Sequence, residues 1–262
     1  MKSNTLRNKS FMNTRSLVTI SLMTTLSIVL ARILGLLIPI AGLPALKINF
    51  SGIPLILTGI FFGPAAGFMA GAVADIIGYM INPMGGAFFP GFTLTTALTG
   101  AIPGFLFKVF KRNAFLTKRN FNYYNCLFII LMTIGLLYAL YLRGVLSFDG
   151  GLHYNGNPVS FVVIFFFLIA VTLYAVVPFV INQFLGTKYG IYTFDKLYFT
   201  VSTTQFITSL LLNTYFLSLL FGRSFIVFLP TRIMTTYFMI PIFTFLLMTL
   251  IKILKLDRQA YH

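Results

Sequence analysis

Glutamate and tryptophan are missing from the whole sequence, and the only acids are Asp75, Asp149, Asp195 and Asp257. Just one of these, Asp75, falls inside a long apolar segment, so paired-carboxylate catalysis and a relay of several intramembrane acids lack material. The single cysteine, Cys126, excludes an internal disulfide, and two scattered histidines give no metal-ligand spacing. No metal or cofactor is expected. There is no Gly-x-x-x-x-Gly-Lys-Ser/Thr run, so ATP phosphates have no cradle here and ATP-driven work falls to a partner. Charge is scarce as well: 9% of residues are charged, against about a quarter in soluble chains.

What fills the chain is apolar. Hydrophobic residues make up 58% of it, the mean hydropathy is +0.93, and a bilayer is the only solvent that suits this composition. A net charge of +15 would ordinarily point to nucleic acid. Here most Lys and Arg sit in clusters between apolar segments or at the ends, which is a topological pattern, and no nucleic-acid partner is expected. The apolar segments run roughly over 16–40, 53–81, 92–111, 124–142, 160–184, 197–221 and 225–251, each near or above the ~20 residues that span a bilayer. The first follows a basic start, Met1 to Arg15, and is too long for a signal-peptide core, so it is expected as a retained helix.

The second segment carries Phe62-Gly63-Pro64 at its middle, where a proline without an amide donor and a glycine permit a break. Positive charge distinguishes one crossing from two. With Lys2, Arg7, Lys9 and Arg15 cytoplasmic, an unbroken segment would place Lys108, Lys111, Arg112, Lys118 and Arg119 outside. A broken one places them inside, together with Lys188, Lys196, Lys252, Lys255 and Arg258. The sequence therefore predicts eight membrane segments, a multi-pass location in the cell membrane, and both termini cytoplasmic. Outer loops then fall at 41–52, 82–91, 143–159 and 222–224. The first two are rich in turn residues, as Gly-Pro loops able to fold over a cavity would be.

Charged groups inside spans are expensive and face the bundle interior. Arg32, Asp75 and Arg232 all belong to the outer half in this topology, with Asn213 at similar depth and Gln205 nearer the cytoplasm. An ion pair of Asp75 with an arginine could simply tie two helices. Two arginines to one aspartate, with Lys47 close above and Asn49 in the same outer loop, would instead suit an anionic ligand, because the planar guanidinium fork matches a carboxylate. Phe88, Phe89 and Phe92 read either as an interfacial belt or as rings that cover a flat ligand. His153, in an outer loop, is assigned no role. The small residues Gly59, Gly63, Ala66, Gly67, Ala70, Gly71 and Ala74 predict close helix packing, and Ser21 and Thr25 form a small-xxx-small pair on the first helix.

The stretch Leu46 to Gly104 holds an FGP turn, an Ala-Asp pair and an FPGFTLT loop, and Leu210 to Pro241 holds LNT and PTRI. Together they resemble the folate-type substrate-binding (S) components of energy-coupling factor transporters. The resemblance covers about two thirds of the chain. It implies an all-α polytopic bundle with a six-helix core, a vitamin site open to the outside, and assembly with a transmembrane coupling subunit and two ATPases. It places Ser21 and Thr25 where such proteins carry an Ala-x-x-x-Ala contact with the coupling subunit. Residues 113–196 depart from the pattern and read as an inserted pair of transmembrane helices, between a first part at 1–112 and the last two core helices at 197–262.

The expectation is a non-enzymatic capture subunit for folate or a related pteridine. The flat ring would meet Phe88, Phe89, Phe92 or Tyr79, its amide and amine edges Asp75 or Asn213, and its carboxylates Arg32, Arg232 or Lys47. Riboflavin or thiamine in the same fold, an integral membrane enzyme acting on an anionic lipid, and a purely structural assembly subunit are the alternatives.

Overall fold

The computed structural model describes residues 14–33, 35–40, 43–83, 87–142, 144, 146–147, 153–154, 157–158, 160–185, 191–222 and 224–253. The basic residues before Thr14 and after Ile253, together with Gly42, Met84 to Gly86, Arg143, Lys188 and Arg223, lie outside them. Helix α1 (Thr14–Arg32) leads into an antiparallel hairpin, β1 (Leu36–Ile40) and β2 (Leu43–Ile48), then α2 (Gly52–Phe62), α3 (Pro64–Ile81) and α4 (Pro90–Arg112). A short α5 (Ala114–Lys118) precedes α6 (Asn122–Leu142) and α7 (Phe161–Leu185), which are linked through three two-residue strands. The chain closes with α8 (Phe194–Gln205), a π-helical stretch (Phe206–Asn213), α9 (Thr214–Phe221) and α10 (Phe225–Ile253).

Among the described residues six helical stretches are long and apolar enough to cross a membrane: α1, α3, α4, the central part of α7, the continuous α8–α9 stretch and the last two thirds of α10. The break in the second apolar segment is real, and Gly63 is its pivot. At φ 95° it occupies backbone space that favours glycine, and Pro64 then starts α3 where a missing N–H costs nothing. The two products are unequal: α3 has 18 residues, whereas α2 has 11, about half of what a span needs.

The first helix stops short of its expected extent. The apolar run to residue 40 is not all helix; α1 ends at Arg32 and Leu36–Ile40 pairs with Leu43–Ile48. Both states accept a short apolar run, and hydrophobicity alone does not separate them. The pairing register shifts between Ile38 and Ile40, at Pro39, which has no N–H to give to a ladder. Half of the loop expected over 41–52 is consequently a return strand, Leu43–Ile48.

Helices α2, α3 and α4 pack backbone to backbone. A methyl group placed on Gly59 or Gly67 would overlap the Gly100 carbonyl oxygen, and one on Gly71 that of Thr96. On Gly104 it would lie 2.6 Å from the Pro64 nitrogen. Small residues allow such contacts in lipid, where close van der Waals packing is a main force between helices. Helix α1 lies over α2 and α3 through Ile20, Leu55, Ala70 and Ala74, leaving Ser21 and Thr25 exposed on its outer side.

The second half has an aromatic core. Tyr174 of α7 donates to Ser202 Oγ at 2.5 Å, Tyr198 of α8 donates to the Tyr174 carbonyl at 2.9 Å, and Tyr237 of α10 shares a 2.9 Å hydrogen bond with Thr133 of α6. A polar clasp closes one end of the same region. The Asp195 carboxylate accepts the Phe121 N–H at 2.7 Å just before α6, and Lys196 Nζ donates to the Thr117 carbonyl at 2.7 Å at the end of α5. Asp195 and Lys196 are both buried, with the carboxylate against the start of α6 and the ammonium group against the last turn of α5, ends whose backbone groups favour those charges. Lys196 is thus a structural cation packed in protein, not one of the exposed charges that mark a membrane face.

Adding a methyl group at Gly100 is expected to cost about 1–3 kcal/mol by forcing α3 off α4. Gly135 on α6, where an added Cβ meets nothing within 4 Å, provides the contrast. Thermal unfolding of the detergent-solubilised chain should show Gly100→Ala with a clearly lowered midpoint and Gly135→Ala unchanged or raised.

Candidate functional site

Helices α1, α3, α4, α8–α9 and α10 and the start of α2 line a partly open cavity of about 310 Å³, within the range of ~300–1,000 Å³ usual for small-molecule sites. Arg32 and Asp75 meet on its wall. Asp75 Oδ1 lies 3.3 Å from Arg32 Nη2, and its Oδ2 accepts from Thr93 Oγ1 at 2.8 Å. Arg32 also donates through Nη1 to the Asn82 carbonyl at 2.9 Å, and Asn82 Nδ2 returns a 3.4 Å bond to the Arg32 carbonyl. The end of α1 is thereby tied to the end of α3. Gly78 makes this possible, since a Cβ there would come within 2.9 Å of Arg32 Nε.

The remaining candidates gather on the same cavity. Tyr79 and Phe88 meet edge to face at 5.2 Å, and Phe89 contacts both Phe92 and Phe216 at 5.6 Å. Asn213, at the end of the π-helical stretch, accepts from Thr95 Oγ1 at 3.0 Å. Asn49 lines the entrance of α2, its Oδ1 accepting the Ser51 N–H at 3.0 Å and the Ser51 hydroxyl. Arg232 on α10 is buried and lines the opposite side. Lys47 lies on β2, with its side chain outside the described residues. Among the described lining residues, two guanidiniums face one carboxylate, so the cavity favours an anionic occupant.

Sequence reasoning did not single out the hydroxyl groups. Ser27, Thr95, Thr96, Thr99, Thr208 and Ser209 all line the cavity, as does Gln205, expected nearer the cytoplasm. Their one visible signal was polar density inside spans, such as Thr93 to Thr96. The π-helical stretch, which brings Thr208, Ser209 and Asn213 onto one wall, has no sequence signal; such stretches recur at functional sites.

The family described as ECF-type riboflavin transporter, S component, matches residues 11–185. The chain belongs to this family. As a member it is a transport protein of the membrane, an S component of the energy-coupling factor type. The match runs through 113–185, the stretch that departs from the folate-type pattern. The folate transporter FolT of Clostridium novyi is 41% identical over 85 residues, 32% of this chain and 46% of that protein. The uncharacterized protein MG098 homolog of Mycoplasma pneumoniae is 31% identical over 101 residues, 38% of this chain and 20% of that one. The chain thus spans less than half the length of these curated relatives. A crystal structure of FolT bound with folic acid superposes on this S component with a TM-score of 0.52 at 18% identity, covering 91% of this chain and 93% of that one. The fold is shared: a polytopic helical bundle.

The Arg32–Asp75 contact makes a specific claim on stability. Asp75→Ala alone leaves a largely buried guanidinium with one partner fewer, at a cost of about 1–3 kcal/mol. Arg32→Ala combined with Asp75→Ala should cost less than the sum of the two single changes, and a double-mutant cycle on thermal midpoints reads that coupling.

Proposed function

We propose that this S component captures folate or a related pteridine at the extracellular side and delivers it inward through an ATP-driven complex. The observation that carries the reading is the composition of the cavity: a guanidinium excess, aromatic rings and neutral amides around one space of about 310 Å³. Folate matches it group for group. Its flat ring suits Tyr79, Phe88, Phe89 and Phe92, its amino and amide edges suit Asp75 and Asn213, and its carboxylates suit Arg32, Arg232 and Lys47. The similarity to FolT over 85 residues supports the same ligand.

In this reading the cavity opens outward, both termini are cytoplasmic, and residues 113–196 form a helical pair added between 1–112 and 197–262. The clasp of Asp195 and Lys196 on Phe121 and Thr117 supports that pair as an integral buttress of α8 and α10. ATP hydrolysis belongs to two partner ATPases, and the exposed Ser21 and Thr25 on α1 would meet a transmembrane coupling subunit. The family's transport role favours capture over an enzyme acting on lipid.

Riboflavin is the second reading, favoured by the family's own description. Equilibrium binding to the purified chain distinguishes the two. Folic acid or a reduced folate should be retained at micromolar concentration or tighter, with riboflavin and thiamine passing through. Failure to retain any folate at micromolar concentration would sink the assignment.

A further inference from the structure

Four hydroxyl groups that line the cavity have already committed their only proton. Thr96 Oγ1 lies 2.9 Å from the Phe92 carbonyl oxygen, Thr99 Oγ1 2.8 Å from that of Thr95, and Thr208 Oγ1 2.8 Å from that of Thr204. Ser27 Oγ lies 2.9 Å from the Ser51 carbonyl oxygen. A carbonyl oxygen carries no hydrogen, so in each pair the hydroxyl donates. A hydroxyl has one donor and two acceptor lone pairs, and what these groups retain toward the cavity is acceptor capacity alone.

Threonines facing lipid make the same local bond. Thr172 and Thr249 donate to Leu168 and Phe245 at 2.9 Å, and there the bond merely satisfies a polar group in an apolar solvent. The four cavity hydroxyls differ in what they face. Thr96 and Thr99 share one face of α4, Thr208 sits on the π-helical stretch, and Ser27 comes from α1, so three separate elements bring hydroxyl lone pairs to one partly open cavity. Thr99 lies about 10 Å along α4 from Phe92. The cationic groups Arg32 and Arg232 are strong donors, and the Asp75 carboxylate adds further acceptors.

We infer that Ser27, Thr96, Thr99 and Thr208 form an acceptor-only surface that selects a planar ring by the N–H donors on its edge. The inference rests on the capture reading and sharpens its substrate class. A pterin presents its 2-amino group and the adjacent ring N–H on one edge, which meets such a surface with donors. The corresponding edge of an isoalloxazine presents two carbonyl oxygens around one N–H, and its oxygens would face lone pairs across a desolvated gap. Mismatched acceptors are costly in such a site because neither partner regains the hydrogen bond it gave up in water.

The test uses the full chain in detergent, with folic acid, its 2-deamino analogue and riboflavin as probes. Valine keeps the shape of threonine and removes the acceptor, while serine keeps the acceptor. Thr96→Val, Thr99→Val and Thr208→Val should each weaken folic acid binding by about 3- to 10-fold, with the serine variants close to wild type. Wild type should bind the deamino analogue about 10-fold more weakly than folic acid, and at least one valine variant should bind that analogue as wild type does. Thermal midpoints of the variants distinguish a lost contact from a lost fold. Folic acid binding that is indifferent to all three valine changes, or weakened equally for both pterins, overturns this inference and leaves the capture reading standing. A wild-type chain that retains riboflavin and no folic acid overturns both.

Discussion

The direct contact of α4 with α2 and α3 is the constraint on which the rest of this molecule depends. Gly59, Gly67, Gly71, Gly100 and Gly104 leave the backbones no side chains to hold them apart. In a membrane, apolar surface gains nothing by moving from lipid to protein, so helices associate where their shapes allow dense contact. That contact fixes the relative position of Asp75 and Tyr79 on one helix and of Phe92, Thr95, Thr96 and Thr99 on the other. The wall of the cavity is therefore as rigid as the glycine seam behind it.

The polar groups divide into those that secure the fold and those left facing the cavity. Asp195, Lys196 and the tyrosines at 174, 198 and 237 belong to the first kind; their hydrogen bonds fasten α5–α7 to α8 and α10. The cavity hydroxyls belong to both. Ser27, Thr96, Thr99 and Thr208 each satisfy a backbone carbonyl, which keeps a polar side chain tolerable in a span, and each still has lone pairs to offer the cavity. The π-helical stretch acts in the same way, since the altered helical repeat moves Thr208, Ser209 and Asn213 onto the inner wall while the segment remains a continuous helix.

Much of the architecture was legible from composition and spacing. Long apolar runs, scarce charge and clustered Lys and Arg specify a helical bundle in a bilayer, because no other fold satisfies backbone polar groups in lipid over such lengths. Gly63-Pro64 announced a break that the backbone makes at that point. Arg32, Asp75, Asn213 and Arg232 stood out because a charge or amide inside a span needs a reason, and all four line one cavity. Other features were not legible. Leu36–Ile40 reads as the continuation of a helix, and only its pairing with β2 makes it a strand. Lys196 reads as a face marker, and only the position of Thr117 makes it a buried clasp.

The sequence by itself determined the solvent, the class of fold, the break in the second segment and the short list of costly polar residues, since each follows from local composition. Tertiary structure decided which partner Arg32 takes, where the first helix ends, and which of many threonines face a cavity and which face lipid. The physical reason is the same in each case. A hydroxyl that donates to its own helix looks identical along the chain whether hydrocarbon or empty space lies beyond it, and only the packing of distant helices determines which one it meets.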